Sequence, residues 1–370
     1  MKVLNLLTSG GVGGIEVLCR DIGKCSNVEN KFVFLYGKGQ IFEQMCSLHM
    51  DVRNIDFGGK LSVKRTRKLL EEVRDCDIVV VHHDDPFLQM HYLLTAYCYP
   101  SKKYISMVHH CYSLNGDDNG YGWIKEKLRN TILKRMFHRS DKILFVSKAG
   151  MESYVPYFRI DESKAGIVYN GISQKLIEMG KGCCKGMVRE RKVHLYYIGR
   201  LVRLKGVDLL IKAIVCLDGK YDLDLVIVGD GKDREKLEQI AGEYHLWKKV
   251  VFKGFQEDVT PYLKEADLFI YPSRTEIFGI SLVEAMAFGN ICIANSVGGI
   301  PEIIEDGKNG ILNPTNDVEG LTSAIERGIK LLSDEEKAEE IRHNAKMTAA
   351  AFCIENTIQR LNQIYMGLSW

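Results

Sequence analysis

Residues 268–289 read LFIYPSRTEIFGISLVEAMAFG, and this stretch decides how the chain is interpreted. Its first four residues, Leu268–Tyr271, form a short apolar run of the kind found in buried parallel strands, and a polar loop follows them. After Gly279 the apolar residues recur at helical spacing. The stretch therefore predicts a strand, a loop and a helix, which is the repeating element of a parallel α/β sheet.

The same alternation extends over most of the chain. In the first half, short apolar runs are separated by helix-length spacers; they are Val3–Leu7, Phe32–Tyr36, Ile78–Val81, Tyr104–Val108 and Ile143–Val146. The alternation is interrupted over residues 172–191 and resumes after them. The later apolar runs are Val193–Ile198, Leu223–Val228, Val250–Phe252, Leu268–Tyr271 and Ile291–Ala294. We predict an α/β protein with two Rossmann-like domains, whose parallel sheets face a central cleft.

This interruption of the alternation sets the expected domain boundaries. An N-terminal domain would span residues 1–171 and a C-terminal domain residues 190–347. Apolar positions at helical spacing predict a closing helix over 348–370, packing back toward the N-terminal domain. A chain of 370 residues favours two domains at about 150 residues each.

Composition excludes several classes of protein. The chain is 46% hydrophobic and 26% charged, with a formal net charge of +2, so it has no strong overall field for binding nucleic acid. Its 11 cysteines are odd in number and irregularly spaced, which indicates reduced thiols rather than a disulfide framework. The N-terminus lacks the pattern of a signal peptide, and no apolar run reaches the roughly 18 residues that span a bilayer. We expect a cytoplasmic protein.

A glycine-rich loop, Ser9-Gly10-Gly11-Val12-Gly13-Gly14-Ile15-Glu16, follows the first strand. Glycines before a helix let backbone amides approach an anion, so Gly13 and Gly14 are candidate phosphate contacts; a purely structural turn is the alternative. The dinucleotide fingerprint fails here, because Glu16 stands where its third glycine belongs. A nicotinamide cofactor is therefore disfavoured.

Charged residues follow two predicted strands of the second half. Arg200 and Lys205 come after Val193–Ile198, where two cations suit a diphosphate unless they are merely solvated loop charges. Glu276 lies in the loop of the opening stretch, and Glu284 lies one turn into the following helix. The helix N-terminus favours a phosphate, and a carboxylate at 284 can accept hydrogen bonds from a ribose diol. Two surface glutamates flanking an amphipathic helix are the alternative.

Together these segments resemble the retaining, nucleotide-sugar-dependent glycosyltransferases of family 4, which have the two-domain GT-B fold. The resemblance is strongest over residues 193–312, where five motifs occur in the family's order. They are Gly199-Arg200-Leu201 with Lys205-Gly206, Val228-Gly229-Asp230-Gly231, Val251-Phe252-Lys253-Gly254-Phe255, the pair Glu276 and Glu284, and Gly298-Gly299-Ile300-Pro301-Glu302. The N-terminal half matches more loosely, through the glycine-rich loop, His109 and Val168-Tyr169-Asn170-Gly171.

The resemblance implies transfer of a sugar from a nucleotide diphosphate sugar to a hydroxyl of a glycan or lipid-linked glycan, in cell-surface polysaccharide synthesis. Arg200 and Lys205 would neutralise the diphosphate, Glu276 would contact the sugar, Glu284 the ribose, and His109 would lie beside the reacting centre. Further donor contacts are implied at Gly13, Gly14, Phe255, Phe278, Gly279 and Ile280. Stabilisation of the leaving diphosphate would be the main catalytic effect, without a metal or another cofactor.

Two other functions stay open. A nucleotide-sugar epimerase can have the same architecture, and so can a non-catalytic partner subunit, although such a subunit would be expected to have lost the charged residues. Several clusters that resemble metal sites are interpreted as incidental, because they lack the required spacing or loop context. They are Asp222-Leu223-Asp224, His82-His83-Asp84-Asp85, His109-His110 and Cys183-Cys184.

The segment 123–139 combines an apolar pattern with six cations and a single acid, Glu126. The cations are Lys125, Lys127, Arg129, Lys134, Arg135 and Arg139, and an upstream run adds Lys60, Lys64, Arg65, Arg67 and Lys68. A solvated helix face is the alternative interpretation. Because many acceptors of this family are lipid-linked, we expect peripheral docking of the N-terminal domain on an anionic inner leaflet.

Overall fold

The computed structural model describes residues 1–58, 62–83, 85–110, 123–183, 185 and 192–368, with the backbone alone at 83 and 123–125. The chain divides into two compact units. The first consists of Met1–Gly171 together with Ile354–Trp370, and the second of Ile172–Cys353. None of the helices in the described ranges is long and apolar enough to cross a lipid bilayer.

The first unit is a parallel sheet with helical connections. Its strands are β1 (Lys2–Ser9), β2 (Glu29–Tyr36), β3 (Asp51–Asn54), β4 (Ile78–His83), β5 (Lys103–Val108), β6 (Lys142–Phe145) and β7 (Ala165–Ile167). Its helices are α1 (Gly14–Cys25), α2 (Gln40–Ser47), α3 (Val63–Arg74), α4 (Pro86–Cys98), α5 (Trp123–Arg139), α6 (Lys148–Phe158) and, at the end of the chain, α14 (Ile354–Leu368).

The strands of this sheet lie in the order β3-β2-β1-β4-β5-β6-β7. Side chains alternate between its two faces, so that Leu4 and Leu6 of β1 belong to one buried cluster while Leu7 belongs to another. A sheet covered on both faces requires nearly continuous apolar strands. This is why most central residues of β1 and the first four residues of β4 are apolar, although Asn5 and His82 are buried polar exceptions.

The second unit repeats this arrangement. Its strands are β8 (Val193–Ile198), β9 (Leu223–Val228), β10 (Val250–Gly254), β11 (Leu268–Tyr271), β12 (Ile291–Asn295) and β13 (Ile311–Asn313), in the order β10-β9-β8-β11-β12-β13. Its helices are α7 (Gln174–Lys181), α8 (Val207–Leu217), α9 (Arg234–Glu243), α10 (Thr260–Glu265), α11 (Ile280–Ala287), α12 (Val318–Leu332) and α13 (Glu335–Ala351). The strand pairs are parallel, and the prediction of two Rossmann-like parallel sheets is confirmed.

The last two helices, α13 and α14, are separated by a break that the apolar pattern of the sequence did not indicate. The helix expected over 348–370 is in fact the end of α13, a break at Phe352 and Cys353, and then α14. At the break, the Ile172 amide donates to the Phe352 carbonyl over 2.9 Å, and Ile172 pairs with Cys353 in an isolated bridge. Helix α14 packs against α1 of the first unit. Its buried residues include Ile358, Leu361 and Tyr365.

Candidate functional site

The strand order of the second unit reverses at β8 and β11, which are neighbours in the sheet. Loops that leave the carboxyl ends of strands at such a switch point form the usual ligand site of an open parallel sheet. The loops in question are residues 199–206, between β8 and α8, and residues 272–279, between β11 and α11. Arg200, Lys205 and Glu276 all lie on these two loops.

The Glu276 carboxylate is the centre of a buried polar cluster. Its Oε2 atom accepts a hydrogen bond of 2.6 Å from the Tyr271 hydroxyl and one of 3.4 Å from the Ser273 hydroxyl, and it forms an ion pair with Lys205. The Lys205 ammonium also donates to the Tyr271 oxygen over 3.2 Å. The side chains of Lys205 and Glu276 are only 17% and 12% exposed, so water screens this ion pair weakly.

The cluster holds one cation, one anion and two neutral hydroxyl donors. Burial opposes ionisation of Glu276, but the charge of Lys205 and the hydrogen bonds from Lys205 and Tyr271 outweigh it, so the pKa of Glu276 lies below its usual value. Burial and the adjacent carboxylate raise the pKa of Tyr271, and its hydroxyl keeps its proton. Such a cluster can exchange internal contacts for the phosphate oxygens and hydroxyls of a ligand.

Arg274 ties the two loops together. Its guanidinium donates two hydrogen bonds of 2.7 Å to the Asp208 carboxylate in the first turn of α8, and one of 2.8 Å to the Arg203 carbonyl. Burial opposes ionisation of Asp208, but this bidentate contact outweighs it and lowers the pKa of Asp208. At Gly206 the φ angle is +66°, and a Cβ atom there would lie 2.0 Å from the Pro272 carbonyl oxygen. Only glycine permits this approach of the two loops.

Helix α11 begins immediately after the second loop. Its N-cap is Gly279, which has no side chain to cap the first N–H groups, although its carbonyl accepts from the Leu282 and Val283 amides. Ile280 is the first helical residue, and Glu284 lies one turn further on and is half-buried. The Phe278 ring is 1% exposed and packs edge-on against Phe352. A ligand contact at position 278 must therefore come from the backbone.

Two more predicted residues follow strands of this sheet and are exposed. Arg200 comes after β8, and its guanidinium has no carboxylate partner among the residues that the structure describes. Its carbonyl accepts a hydrogen bond of 2.9 Å from the buried Tyr197 hydroxyl. Phe255 follows β10 at the edge of the sheet, and 48% of it is exposed. The same end of the sheet thus carries a cation suited to bind a phosphate and an aromatic side chain suited to stack on a nucleotide base.

The glycine-rich loop of the first unit combines packing with an uncapped helix. The Gly10 carbonyl accepts a hydrogen bond of 3.0 Å from the Ile41 amide, and a Cβ atom on Gly10 would lie 2.5 Å from that of Phe42. Gly13 is the N-cap of α1, again without a side-chain cap, and Gly14 is its first residue. Their contact with a donor stays a prediction.

His109 follows β5 and is 7% exposed. Its Nε2 atom lies 3.1 Å from Nδ1 of His82 in β4, and the two rings are nearly parallel, at 20°. Burial lowers the pKa of His82 to about 3, so this ring is neutral at any working pH. The role of His109 beside a sugar stays a prediction.

The clusters that resemble metal sites in the sequence are engaged in other contacts or lie outside the described residues. Asp224 accepts a hydrogen bond of 2.8 Å from a ring nitrogen of His194, within neighbouring strands of the sheet. Asp84 and Cys184 are not among the described residues. In the described parts of the chain, no three His, Cys, Asp or Glu side chains come together in a way that could hold a metal ion.

Sequence reasoning missed Tyr271, Asp208 and Arg274 as parts of this site. Tyr271 ends an apolar strand, where an aromatic residue is typical of the core and gives no signal of a polar role. Asp208 and Arg274 lie close to the predicted cations in sequence, but only the fold brings them into one ion pair. A signal was present for Tyr271 and Arg274, which lie at and just after the end of β11, one of the two strands that flank the switch point.

Two models of glycosyltransferase families match the chain. Residues 12–175 match Glycosyltransferase Family 4, and residues 185–348 match Glycosyl transferases group 1. The chain belongs to the group 1 glycosyltransferases of the family 4 type. The matched residues include every predicted site residue, and they cover all strands of the two sheets except β1.

Curated relatives support the same family. An uncharacterized glycosyltransferase of Methanocaldococcus jannaschii is 31% identical over 252 residues, which are 65% of this chain and 65% of the relative. The N-acetyl-alpha-D-glucosaminyl L-malate synthase of Bacillus anthracis is 32% identical over 179 residues, 48% of this chain and 46% of the relative. The chain thus matches less than two thirds of the length of either relative.

Solved structures share the fold over the whole chain. The Anabaena protein HepE, in complex with UDP-glucose, superimposes with a TM-score of 0.82 at 21% identity and covers 99% of this chain and 100% of its own. Sucrose-phosphate synthase from Thermosynechococcus elongatus gives a TM-score of 0.80 at 18% identity, covering 100% and 99%. At these identities the likeness establishes the fold, which is GT-B.

Proposed function

We propose that this protein transfers a glycosyl group from a nucleotide diphosphate sugar to a hydroxyl of an acceptor glycan, with retention of configuration. The observation that carries the proposal is the cluster of Lys205, Glu276 and Tyr271 at the switch point of the second unit. The exposed Arg200 and the uncapped start of α11 supply further positive potential at the same end of the sheet. Family membership supports this chemistry.

In the proposed reaction, the bond between the sugar C1 atom and the leaving phosphate oxygen breaks, and a bond from C1 to the acceptor oxygen forms on the same face. The acceptor proton passes to the leaving phosphate oxygen. Lys205 and Arg200 stabilise the charge that develops on the diphosphate, which is the largest catalytic effect available to fixed charges in a weakly solvated site. Glu276 holds sugar hydroxyls, and Glu284 the ribose.

The first donor to test is a UDP-hexose, because the HepE structures contain UDP and UDP-glucose and the exposed Phe255 ring can stack on a base. The acceptor is proposed to be a glycan or lipid-linked glycan of a cell-surface polysaccharide. Lys205→Ala and Glu276→Gln should each lower kcat/KM about 30- to 4,000-fold, since losing a buried charged partner costs roughly 2–5 kcal/mol.

The matched controls are Lys308→Ala and Glu305→Gln, which alter an exposed ion pair in the same unit. They should leave transfer within about twofold of the unaltered protein. Near-normal transfer by the Lys205 and Glu276 variants would exclude the proposed site. Conversion of the nucleotide sugar to its epimer without any acceptor would instead favour the epimerase, and no turnover of any donor would favour a non-catalytic subunit.

Membrane docking is the second part of the proposal. Helix α4 exposes Met90, Leu94 and Tyr97 at helical spacing on a helix without charged residues, and α5 packs against it. Helix α5 exposes Lys127, Lys134 and Arg135. We call these six residues the α4–α5 face. Apolar side chains flanked by cations suit the interface of an anionic leaflet.

Several of the cations that the sequence suggested for membrane contact are engaged in contacts within the protein. Arg139 donates to the Ala96 carbonyl over 2.8 Å. Arg65 is 1% exposed and forms an ion pair with Asp56. Both side chains therefore make contacts that stabilise the fold. Arg67 and Lys68 pair with Glu71. Lys60 and the side chain of Lys125 lie outside the described residues.

A further inference from the structure

Two buried asparagines at the ends of neighbouring strands of the second unit contact each other and the loop that carries Glu276. Asn295 ends β12 and Asn313 ends β13, the two residues pair in register, and both are fully buried. The Asn295 side chain lies 2.9 Å from the Pro272 carbonyl and 3.1 Å from the Ser273 carbonyl. The Asn313 side chain lies 2.8 Å from that of Asn295. We call these two residues the asparagine pair. Apolar residues are usual at buried strand positions, so two buried amides there need a reason.

The backbone fixes the orientation of both amides. The carbonyls of Pro272 and Ser273 can only accept, so Asn295 must present its NH2 group to them. Its oxygen therefore faces Asn313, which must donate with its own NH2 group. The Asn313 oxygen then accepts from the Thr315 backbone amide over 3.2 Å, and this amide can only donate. Reasoning from either end of the pair thus gives the same orientation.

Each amide of the pair uses both of its ends. The two protons of the Asn295 NH2 group face three acceptors, because the Asn316 side-chain oxygen lies 2.6 Å away in addition to the two loop carbonyls. A Cβ atom on Gly320 would lie only 2.3 Å from the Asn313 oxygen, so the first turn of α12 packs closely against the pair. A carboxylate of the same shape at either position would face acceptors to which it cannot donate.

The loop 272–279 is held from two sides. On the β8 side, the Arg274 amide donates to the Leu204 carbonyl over 2.8 Å. On the β12 side, the Gly299 amide donates to the Glu276 carbonyl over 3.0 Å, and the asparagine pair binds the first two residues of the loop. The pair therefore acts on the part of the loop that leads from the end of β11 to Glu276.

We infer that the asparagine pair sets the position of loop 272–279, which makes Asn295 and Asn313 positioning residues for Glu276. The Ser273 hydroxyl, on a residue whose carbonyl the pair binds, itself lies 3.4 Å from the Glu276 carboxylate. A shift of this residue therefore moves a contact of that carboxylate directly. Resting on the proposed function, the pair keeps the carboxylate where it can accept hydrogen bonds from the hydroxyls of the donor sugar.

Hydrogen exchange in the protein without substrate tests the position of the loop. In Asn295→Asp, a carboxylate cannot donate to the two loop carbonyls, so amide exchange in a peptide spanning 272–279 should rise about tenfold or more. Asn290→Asp is the matched control, because Asn290 is equally buried and donates to the Leu263 and Ala285 carbonyls over 3.1 and 3.0 Å. This residue lies just before β12, at the opposite end of the same strand. Exchange over 272–279 should stay within about twofold in the control.

Asn313→Ala keeps the test decisive if Asn295→Asp does not fold. It introduces no charge and removes the donor to the Asn295 oxygen, so exchange over 272–279 should rise about threefold. Unchanged exchange of the loop in Asn295→Asp, or in Asn313→Ala where only that variant folds, would overturn the inference. An equal rise in Asn290→Asp would also overturn it, because the effect would then be a general loss of stability of the second unit.

The pH–rate profile adds a readout that a merely structural role would not move. Burial opposes ionisation of Glu276, but Lys205 and Tyr271 outweigh it and keep the pKa of Glu276 low. A displaced loop weakens these contacts, so the acid limb of the profile should move to higher pH. If the proposed function holds, Asn295→Asp should show this shift and a kcat lowered about 10- to 100-fold, whereas Asn290→Asp should show neither.

The exchange experiment needs no turnover, so it separates this inference from the proposed function. A protein without transferase activity in which loop 272–279 responds as expected would refute the function and keep the positioning of the loop. An active protein in which the loop does not respond to Asn295→Asp would do the reverse.

Discussion

At the scale of single residues, Tyr271 shows how the fold creates a polar function at a position that looks apolar in sequence. Its hydroxyl donates to Glu276 and accepts from Lys205. Two separate motifs identified the two charged residues: Lys205 belongs to the cluster after Val193–Ile198, and Glu276 to the pair of glutamates after Leu268–Tyr271. The tyrosine could not be found in the same way, since a strand ending in an aromatic residue is equally consistent with core packing.

Removing this hydroxyl should weaken the site without removing a charge. Tyr271→Phe is expected to lower kcat/KM about 10- to 150-fold, because a hydrogen bond to a charged group contributes roughly 1.5–3 kcal/mol. The hydrogen bond from Tyr271 also helps keep the pKa of Glu276 low. The acid limb of the pH–rate profile should therefore move to higher pH. Tyr244→Phe, at an exposed tyrosine, should change neither quantity.

At the scale of elements, the sequence predicted strands better than helix boundaries. Uninterrupted apolar runs such as Leu268–Tyr271 coincide with a strand, here β11, because a strand buried on both faces has few alternatives. The end of α13 was missed because Phe352 and Cys353 continue the apolar pattern across the break. What ends the helix is the pairing of this segment with Ile172, a contact between residues distant in sequence.

A buried ion pair joins β2 to α3, and breaking it should be costly at neutral pH. Lys31 lies 2.9 Å from Glu72, and these side chains are 7% and 9% exposed. Lys31→Met leaves a buried carboxylate without its main partner, which should lower the free energy of unfolding by about 3–5 kcal/mol. Lys68→Met removes a more exposed partner of the same carboxylate and should cost less than about 1 kcal/mol.

The pH dependence of this effect has a definite sign. Burial opposes ionisation of Glu72, but Lys31 and Lys68 outweigh it and lower its pKa, so its stabilising contribution exists above the ordinary carboxyl range and is lost as the pH falls through the lowered value. In Lys31→Met, burial should prevail and raise the pKa. The stability difference from the unaltered protein should therefore shrink between about pH 7 and about pH 5 in denaturant titrations. A constant difference would contradict this account.

The α4–α5 face makes a separate prediction. Each cation near an anionic leaflet contributes about 1 kcal/mol, so replacing Lys127, Lys134 and Arg135 by Gln should reduce sedimentation with anionic vesicles by about 100-fold in partition coefficient. A control with Lys236, Lys248 and Lys264 replaced by Gln removes the same charge from exposed sites of the second unit. Binding should also fall with salt. Equal recovery of the protein with neutral and with anionic vesicles would show that the α4–α5 face is an ordinary solvated surface.

At the scale of the whole molecule, each unit has its own hydrophobic clusters, and the first is completed by the last helix. Leu361 of α14 is 1% exposed, and Leu217 of α8 is fully buried in the other unit. Leu361→Ala and Leu217→Ala should each cost about 2–5 kcal/mol. Hydrogen exchange should locate the effect, rising over 1–171 and 354–368 for the first variant and over 172–353 for the second. A rise spread over both units in either variant would refute their independence.

Metal independence is a prediction for the complete enzyme. We expect Lys205, Arg200 and the start of α11 to supply the positive potential that a divalent ion provides elsewhere. We expect initial rates within about twofold in excess EDTA and in added magnesium. Loss of transfer in EDTA that returns with a divalent ion would refute the prediction.

The discontinuity of the first unit has a consequence for how the protein is made. The second unit, Ile172–Cys353, is one uninterrupted stretch of chain, whereas α14 is synthesised only after all of it. At about 5–20 residues per second, the ribosome adds the second unit over roughly 10–40 s, during which α1 lacks the α14 helix that packs against it. The first part to be translated is therefore the last to be finished. During that interval the side of α1 that later packs against α14 stays uncovered on the nascent chain.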